Sequence, residues 1–236
     1  MKNNPFGPLL ALLLLIAPAL RAQNLSFTAP VSGFSSLKVS SGVQVFLTQL
    51  DTESLRVEAN GFDRDEIVVA VKNGELTLSI RLEGWLGNSR ANRNKTRFVK
   101  AYLTARQLTS ITVAAGAQLT GESTVKAEKI GLHAKSGAEL TLAVVATDVD
   151  LSSGAGATAT VSGTAQTLLA DASGGATLEA SNLKTSTVQA NASSGASIRV
   201  SADKELFLKA SSGGSIRHGG AGRVVSRKTS LGGSID

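Results

Sequence analysis

A basic loop is the first group of side chains in this sequence that could do chemistry. Its five cations fall within eleven residues and follow the single tryptophan, Trp85. They are Arg90, Arg93, Lys95, Arg97 and Lys100. Cations beside an aromatic ring can hold an anionic polymer such as a surface polysaccharide, whereas the same residues also suit a solvated connection whose charges keep strand edges apart. We therefore predict a candidate ligand-binding loop here, with the solvated connection as its alternative.

A second group could serve acid–base chemistry. Enzymes that cleave polysaccharides on a β-helix cluster acidic and basic groups on one long face. The corresponding candidates are Asp148, Asp150, Asp171 and Lys135. Asp148 and Asp150 lie two apart on one strand and point the same way, but no third carboxylate joins them. Surface solubility explains these residues better, so a polysaccharide-active enzyme is the alternative function and no catalytic residue is predicted.

No metal or cofactor site is predicted. The two histidines, His133 and His218, each lack a second histidine near enough to form a metal pair. The chain has no cysteine, which excludes thiolate ligands, disulfides, a cysteine nucleophile and a lipid-modified cysteine. No motif of a P-loop, a zinc protease or a serine hydrolase occurs. We therefore expect a protein that is neither an enzyme nor a lipoprotein.

The elements that position these residues are repeats. From residue 111 onward, a glycine in a similar phrase recurs every 18 to 21 residues. These glycines are Gly116, Gly137, Gly156, Gly175, Gly195, Gly213 and Gly232. A fixed period near twenty residues is typical of a solenoid, in which each coil stacks on its neighbours.

Side chains alternate around each repeated glycine. The residues three, five and seven positions before it are apolar or small, with Arg227 as the exception, and Val225 is the last of the series. The residue four positions before it is polar. Alternation with a period of two indicates strands with one buried side. We predict an all-β β-helix of about 19–20 residues per coil. Each coil has two short strands meeting at a glycine corner that needs positive φ or close backbone contact.

The outward positions form two polar columns along the stack. One comprises Gln118, Glu139, Thr158, Thr177, Ser197, Ser215 and Ser234. The other comprises Thr112, His133, Ser152, Asp171, Asn191, Lys209 and Lys228. Such ladders can bind glycans or proteins through many weak contacts, or they can simply suit exposed strands.

The domain organisation follows from these patterns. Residues 1–22 have a positive start, a short apolar run and a plausible cleavage site, which predicts a signal peptide rather than a membrane span. Residues 23–33 are a lead-in, and 34–236 form the β-helix, with irregular coils over 34–110 and regular coils over 111–236. Ser41-Gly42 resembles the later corners, and Asn73-Gly74 predicts a hairpin turn. The last residues, 231–236, leave an open edge through which a homo-oligomer could form.

Net charge gives little information about partners. The formal charge of +6 falls to +4 without Lys2 and Arg21 of the leader, which is weak evidence for any partner. No nucleic acid is expected, and the mature chain has no transmembrane segment. Export would place it in the periplasm, on the outer-membrane surface or outside the cell.

The order of the motifs resembles a known family. Phe34 to Val45 reads F-x-x-L-x-V-S-S-G-V-x-V, the turn at Asn73-Gly74 continues with Glu75-Leu76, and S-G-A/G-x-L phrases follow. Together they are similar to the putative auto-transporter adhesin family, head GIN domain, from residue 34 onward. This resemblance implies an exported β-helix of the bacterial cell envelope, an adhesin or scaffold whose partners are glycans or envelope proteins. An auto-transporter also needs a C-terminal membrane barrel, which we do not expect where the sequence ends in a coil phrase.

Overall fold

The structure is a computed structural model, and it describes residues 25–81 and 97–236. The predicted signal peptide over residues 1–22 lies outside the described residues. So do Trp85, Arg90, Arg93 and Lys95 of the basic loop.

In the described part of the chain, an opening section of seven strands precedes the regular coils. Its elements are β1 (Leu25–Ala29), β2 (Ser36–Val39), β3 (Gln44–Gln49), β4 (Ser54–Asn60), a 3₁₀ helix (Arg64–Glu66), β5 (Ile67–Lys72), β6 (Glu75–Ile80) and β7 (Phe98–Ala105). Strand β5 pairs with β6 in an antiparallel hairpin whose turn residues, Asn73 and Gly74, both have positive φ, as predicted. Strand β4 lies antiparallel to both β1 and β7. These antiparallel strands cover the start of the solenoid.

The regular coils follow without interruption. Their strands are β8 (Ser110–Ala114), β9 (Gln118–Gly121), β10 (Val125–Lys135), β11 (Glu139–Gly154), β12 (Thr158–Ser173), β13 (Thr177–Ala192), β14 (Ser197–Ser211), β15 (Ser215–Gly219), β16 (Arg223–Ser230) and β17 (Ser234–Ile235). Each coil pairs in parallel with the next. The predicted β-helix is confirmed, with about seven turns in the residues that the structure describes.

Two faces of the solenoid matter for function. The pre-corner face runs through β5, β6, β2, β8, the C-terminal halves of β10 to β14, and β16. The post-corner face runs through β1, β4, β7, β3, β9, the N-terminal halves of β11 to β14, β15 and β17. Both faces expose alternate side chains in straight columns.

The corners are two-residue turns in which both residues have positive φ. The seven predicted glycines have φ between 69° and 76°. A Cβ on Gly156 would meet nothing within 4 Å, so φ, rather than close contact, selects glycine there. At most corners the residue before the glycine, for example Ala155 or Ser194, is not glycine yet also has positive φ, which the sequence pattern did not reveal. From Gly116 to Gly213, each corner glycine N–H donates to a carbonyl of the next corner at 3.0–3.1 Å, so the corners form a hydrogen-bonded column.

The prediction of two short strands per coil is wrong for the middle coils. Strands β11 to β14 each run for 15 or 16 residues from one corner to the next. Coils close through bends and register shifts, such as the one between Thr160 and Gly163, without breaking the ladder between coils. Gly163 allows one such bend, because a Cβ there would lie 2.0 Å from the carbonyl oxygen of Val144.

The core consists of the predicted inward columns. Leu132, Leu151, Leu178 and Ile198 are fully buried, and small residues such as Ala170 share their columns. In the last coil, Val225 was expected in the core but is 40% exposed. A register shift between Leu206 and Phe207 on the neighbouring strand turns Val225 outward, and Val224 packs on the core instead. No helix in the described residues is long and apolar enough to cross a membrane.

Candidate functional site

The basic loop lies in the sequence between β6 and β7. Strand β6 pairs with β2, and β7 pairs with β3. Of the predicted binding residues, Arg97 and Lys100 are within the described part of the chain. The Arg97 guanidinium lies 4.1 Å from the Phe62 ring centroid, and its Nε donates to the Gly61 carbonyl at 2.9 Å. Arg97 therefore packs against its own chain.

Lys100 lies on the post-corner face. Its ammonium is 5.3 Å from the Phe98 ring centroid, and its register neighbours are Gln44 and Glu58. The structure thus gives the two described cations of the basic loop different surroundings, with Lys100 in a column of outward polar side chains.

An aromatic stack stands on the post-corner face beside Lys100. Arg56, Tyr102 and Phe46 are register neighbours on β4, β7 and β3. The two rings are stacked, with centroids 5.3 Å apart and an interplanar angle of 18°. The Arg56 guanidinium lies 4.4 Å from the Tyr102 centroid and forms an ion pair with Glu58. These contacts make a three-membered stack in which Arg56 is exposed and both rings are half-buried.

The stack has an open end at Phe46. The same column continues with Thr120 and Thr141, whose exposed side chains are too short to cover an aromatic ring. Hydrogen-bonding groups surround this end: Gln44 and Gln118 lie in the neighbouring column. An apolar ring face beside amides and hydroxyls can hold a flat ligand that has C–H groups on one side and hydroxyls at its edge.

A shallow polar groove of about 590 Å³ lies on the pre-corner face. It is lined by Lys135, Ser152, Gly154, Asp171, Ser173 and Asn191, among others. The missing side chain of Gly154 contributes to the depression between its neighbours in the column. Ser152 Oγ is 2.7 Å from His133 Nδ1, and Asn191 Nδ2 donates to Asp171 Oδ1 at 2.8 Å. The groove offers a cation and a carboxylate to a polar ligand.

The four candidates for acid–base chemistry are divided by the structure. Lys135 and Asp171 line the groove, whereas Asp148 forms an ion pair with Lys129 at 3.1 Å. Asp150 lies between Gly131 and Leu169 in its column. No group of three or more potential metal-binding side chains occurs in residues 25–81 and 97–236.

Glu179, on the post-corner face, has one ion-pair partner and accepts two hydrogen bonds from one neighbouring residue. Arg199 forms an ion pair with it at 2.9 Å, and the backbone and side chain of Ser181 donate hydrogen bonds. Partial burial would raise the pKa of Glu179, but these hydrogen bonds and the Arg199 charge outweigh burial and hold the pKa below its usual value. The pair ties two coils together.

The aromatic stack was missed by sequence reasoning. Phe46 and Tyr102 are 56 positions apart, and they become neighbours only because β7 returns to lie beside β3. The available signal was their placement at outward positions of strands whose other outward residues, apart from Phe98, are polar.

Comparison with known proteins gives a consistent result. A family model described as "Putative auto-transporter adhesin, head GIN domain" matches residues 33–222. None of the curated proteins compared with the chain matches it.

Several solved structures share the fold. A putative adhesin from Bacteroides fragilis NCTC 9343 has a TM-score of 0.75 and 18% identity, with 91% of this chain and 96% of that chain covered. One from Parabacteroides distasonis ATCC 8503 has a TM-score of 0.70 and 15% identity, with coverage of 91% and 96%. Another from Parabacteroides merdae ATCC 43184 has a TM-score of 0.67 and 13% identity, with coverage of 90% and 95%.

Proposed function

Because the chain belongs to the family described as "Putative auto-transporter adhesin, head GIN domain", we propose that it is an exported, non-enzymatic adhesive protein of the bacterial cell envelope. Its ligand on this proposal is a glycan, held on the post-corner face at the open end of the aromatic stack. The observation that carries the proposal is the half-buried ring of Phe46, stacked on Tyr102 and followed by the short side chains of Thr120 and Thr141.

The chemistry of this end suits a pyranose ring. The C–H groups of a sugar can pack against the free face of Phe46 while its hydroxyls reach Gln44, Gln118 and the Lys100 ammonium. Tyr102 stacks on the Phe46 ring, and the Arg56 guanidinium lies over Tyr102 in turn, so the two residues support the position of Phe46. Contacts of this kind are each weak, so an adhesin would gain strength from many copies engaging one polymer.

A glycan array probed with the purified protein tests the proposal, followed by titration calorimetry on any hit. Phe46→Ala and Tyr102→Ala should each weaken binding by about tenfold, in line with the worth of an aromatic contact. Phe207→Ala is the matched control, because Phe207 is a half-buried outward phenylalanine on the pre-corner face. Its binding should stay unchanged.

Other outcomes would move or remove the site. Loss of binding in Lys135→Ala or Asp171→Ala, with Phe46→Ala unaffected, would place the ligand in the polar groove. Binding that weakens with salt and disappears in Arg93→Ala with Lys95→Ala, with Phe46→Ala unaffected, would place it at the basic loop. Failure of the unaltered protein to bind any glycan would contradict the glycan ligand and leave an envelope protein as the partner.

Export is tested separately by cell fractionation and by protease treatment of intact cells. Recovery of the protein, shortened by its leader, from the envelope or the medium is the expected result. Retention of the full-length chain in the cytoplasm would contradict the adhesive role.

A further inference from the structure

Net positive charge is concentrated at one end of the molecule. Residues 199–236 contain seven lysine and arginine residues against three acidic ones, whereas residues 23–198 contain fifteen of each. The whole net charge of the chain without its leader therefore belongs to β14, β15, β16 and β17. These are the last strands of the stack, so the excess occupies one physical end of the solenoid.

The register places like charges side by side at this end. Lys209 and Lys228 are neighbours on the pre-corner face, and Arg199 and Arg217 are neighbours on the post-corner face. Strand neighbours of the same charge oppose folding. Arg199 is ion-paired with Glu179, but within the described residues no carboxylate lies within 4.0 Å of the cationic groups of Lys209, Lys228 or Arg217. Folding alone does not account for this arrangement.

A large apolar side chain protrudes between the two pairs of cations. Leu231 is the first residue of the last corner and is 82% exposed. At the equivalent position the other stacked corners have Ser, Ala or Gly. Val225 is the second exposed aliphatic side chain of the same coil. An exposed leucine flanked by lysine and arginine side chains matches the way peripheral proteins meet an anionic bilayer.

We infer that this end of the solenoid docks on an anionic lipid surface, with Leu231 entering the headgroup region and Lys209, Lys228 and Arg217 contacting lipid phosphates. The inference does not rest on glycan binding. The Phe46 stack lies in the first stacked coil, seven corners away, so roughly 30 Å along the stack separates it from the docking residues. A chain without cysteine would thus obtain membrane attachment without a covalent lipid.

A second copy stacked on the same end fits less well. In the existing stack, corner residues such as Ser136 and Ala155 stay exposed although coils lie on both sides of them. Stacking another copy would therefore leave Leu231 in water. It would also place the exposed cation Arg227, which points into the column of core residues, between the two copies.

Vesicle co-sedimentation tests the inference with the purified protein. We expect binding to phosphatidylcholine vesicles that contain roughly a third phosphatidylglycerol, weakening with salt, and none to pure phosphatidylcholine. The double variant Lys209→Glu with Lys228→Glu should lose at least about tenfold in partitioning. Leu231→Ser should lose a smaller, roughly severalfold amount, since it keeps every charge.

The matched control is the double variant Lys38→Glu with Lys72→Glu. It changes net charge equally at the opposite end of the molecule, and Lys38 lies in the same column as Lys209 and Lys228. Its binding should stay near that of the unaltered protein, and circular dichroism should show every variant folded. The docking mode would be overturned if the control variant lost as much vesicle binding as the Lys209→Glu, Lys228→Glu variant. It would also be overturned if Leu231→Ser bound vesicles as well as the unaltered protein. Absence of vesicle binding together with a variant-dependent mass in light scattering would show self-assembly instead.

Discussion

Arg227 donates a hydrogen bond from its guanidinium to the main-chain oxygen of Ile235, joining the two faces of the last coil. Arg227 belongs to the inward column that holds Leu132, Leu151 and Leu208 in earlier coils. Its side chain therefore reaches from β16 to β17 across the end of the apolar core. An inward-pointing charge is a known way to keep a strand edge from pairing with another chain. The last coil thus has a cap that the sequence pattern showed only as an exception.

We predict that Arg227→Ala loosens the end of the solenoid. Loss of the hydrogen bond to Ile235 should lower the free energy of unfolding by about 1 kcal/mol. The amide of Asp236, which donates to Ile216 at 2.9 Å, should exchange faster with solvent because β17 loses its tie to β16. Hydrogen-exchange mass spectrometry or NMR measures this.

Arg223→Ala is the control, because its exposed ion pair with Glu205 at 3.9 Å should contribute little. Unchanged exchange at Asp236 in Arg227→Ala would contradict the capping role.

Two glycines should respond differently to the same substitution. Gly156→Ala places a Cβ in open space at φ of 72°, so only backbone strain of about 1 kcal/mol is expected. Gly163→Ala places a Cβ 2.0 Å from the Val144 carbonyl oxygen, so neighbouring coils must separate, at a cost of about 3 kcal/mol. Urea denaturation followed by circular dichroism compares them. Equal midpoints would show that the coils adjust to a Cβ at Gly163.

The repeat was predictable from sequence because burial alternates with a strict period. The glycine spacing locates every regular corner, and the apolar columns identify core residues such as Leu151 and Ile198. Where one extra residue shifts the register, as at Val225, positions counted back from the corner glycine are right as far as the bulge, as at Arg227 and Lys228, and wrong beyond it. Pattern reasoning therefore succeeds for uniform coils and fails at their ends.

The candidate site could not be predicted in the same way. Phe46 and Tyr102 meet because β7, which follows β4, β5 and β6 in the chain, returns to pair with β3. That detour through β4, β5 and β6 has no fixed period, so sequence spacing does not encode the contact. The concentration of charge at the C-terminal end was visible in composition, but only the register shows that the lysines are neighbours.

Stability should depend on the protonation of Glu179. Its pKa is lowered in the folded state from the usual value of 4.5, so the ionised carboxylate stabilises the fold above that pH. This contribution is lost as the pH falls through the lowered pKa. Glu179→Gln should therefore lower the urea midpoint of unfolding at pH 7, and it should lower that midpoint less at pH 3. Glu128→Gln, an exposed carboxylate on β10, is the control and should show a smaller shift at pH 7. An equal shift at both pH values would attribute the effect to packing rather than charge.

Val224 and Val225 give the sharpest test of the bulge in the last coil. The alternating pattern places Val225 in the core, whereas the structure packs Val224 there and leaves Val225 40% exposed. Val224→Ala should therefore lower the free energy of unfolding by about 1 kcal/mol, and Val225→Ala should change it by less than about 0.5 kcal/mol. Thermal and urea denaturation of the two variants, made in the same background, measure the difference. If Val225→Ala were the more destabilising change, the strand would keep the uniform register of the earlier coils, with Val225 inward and Val224 outward.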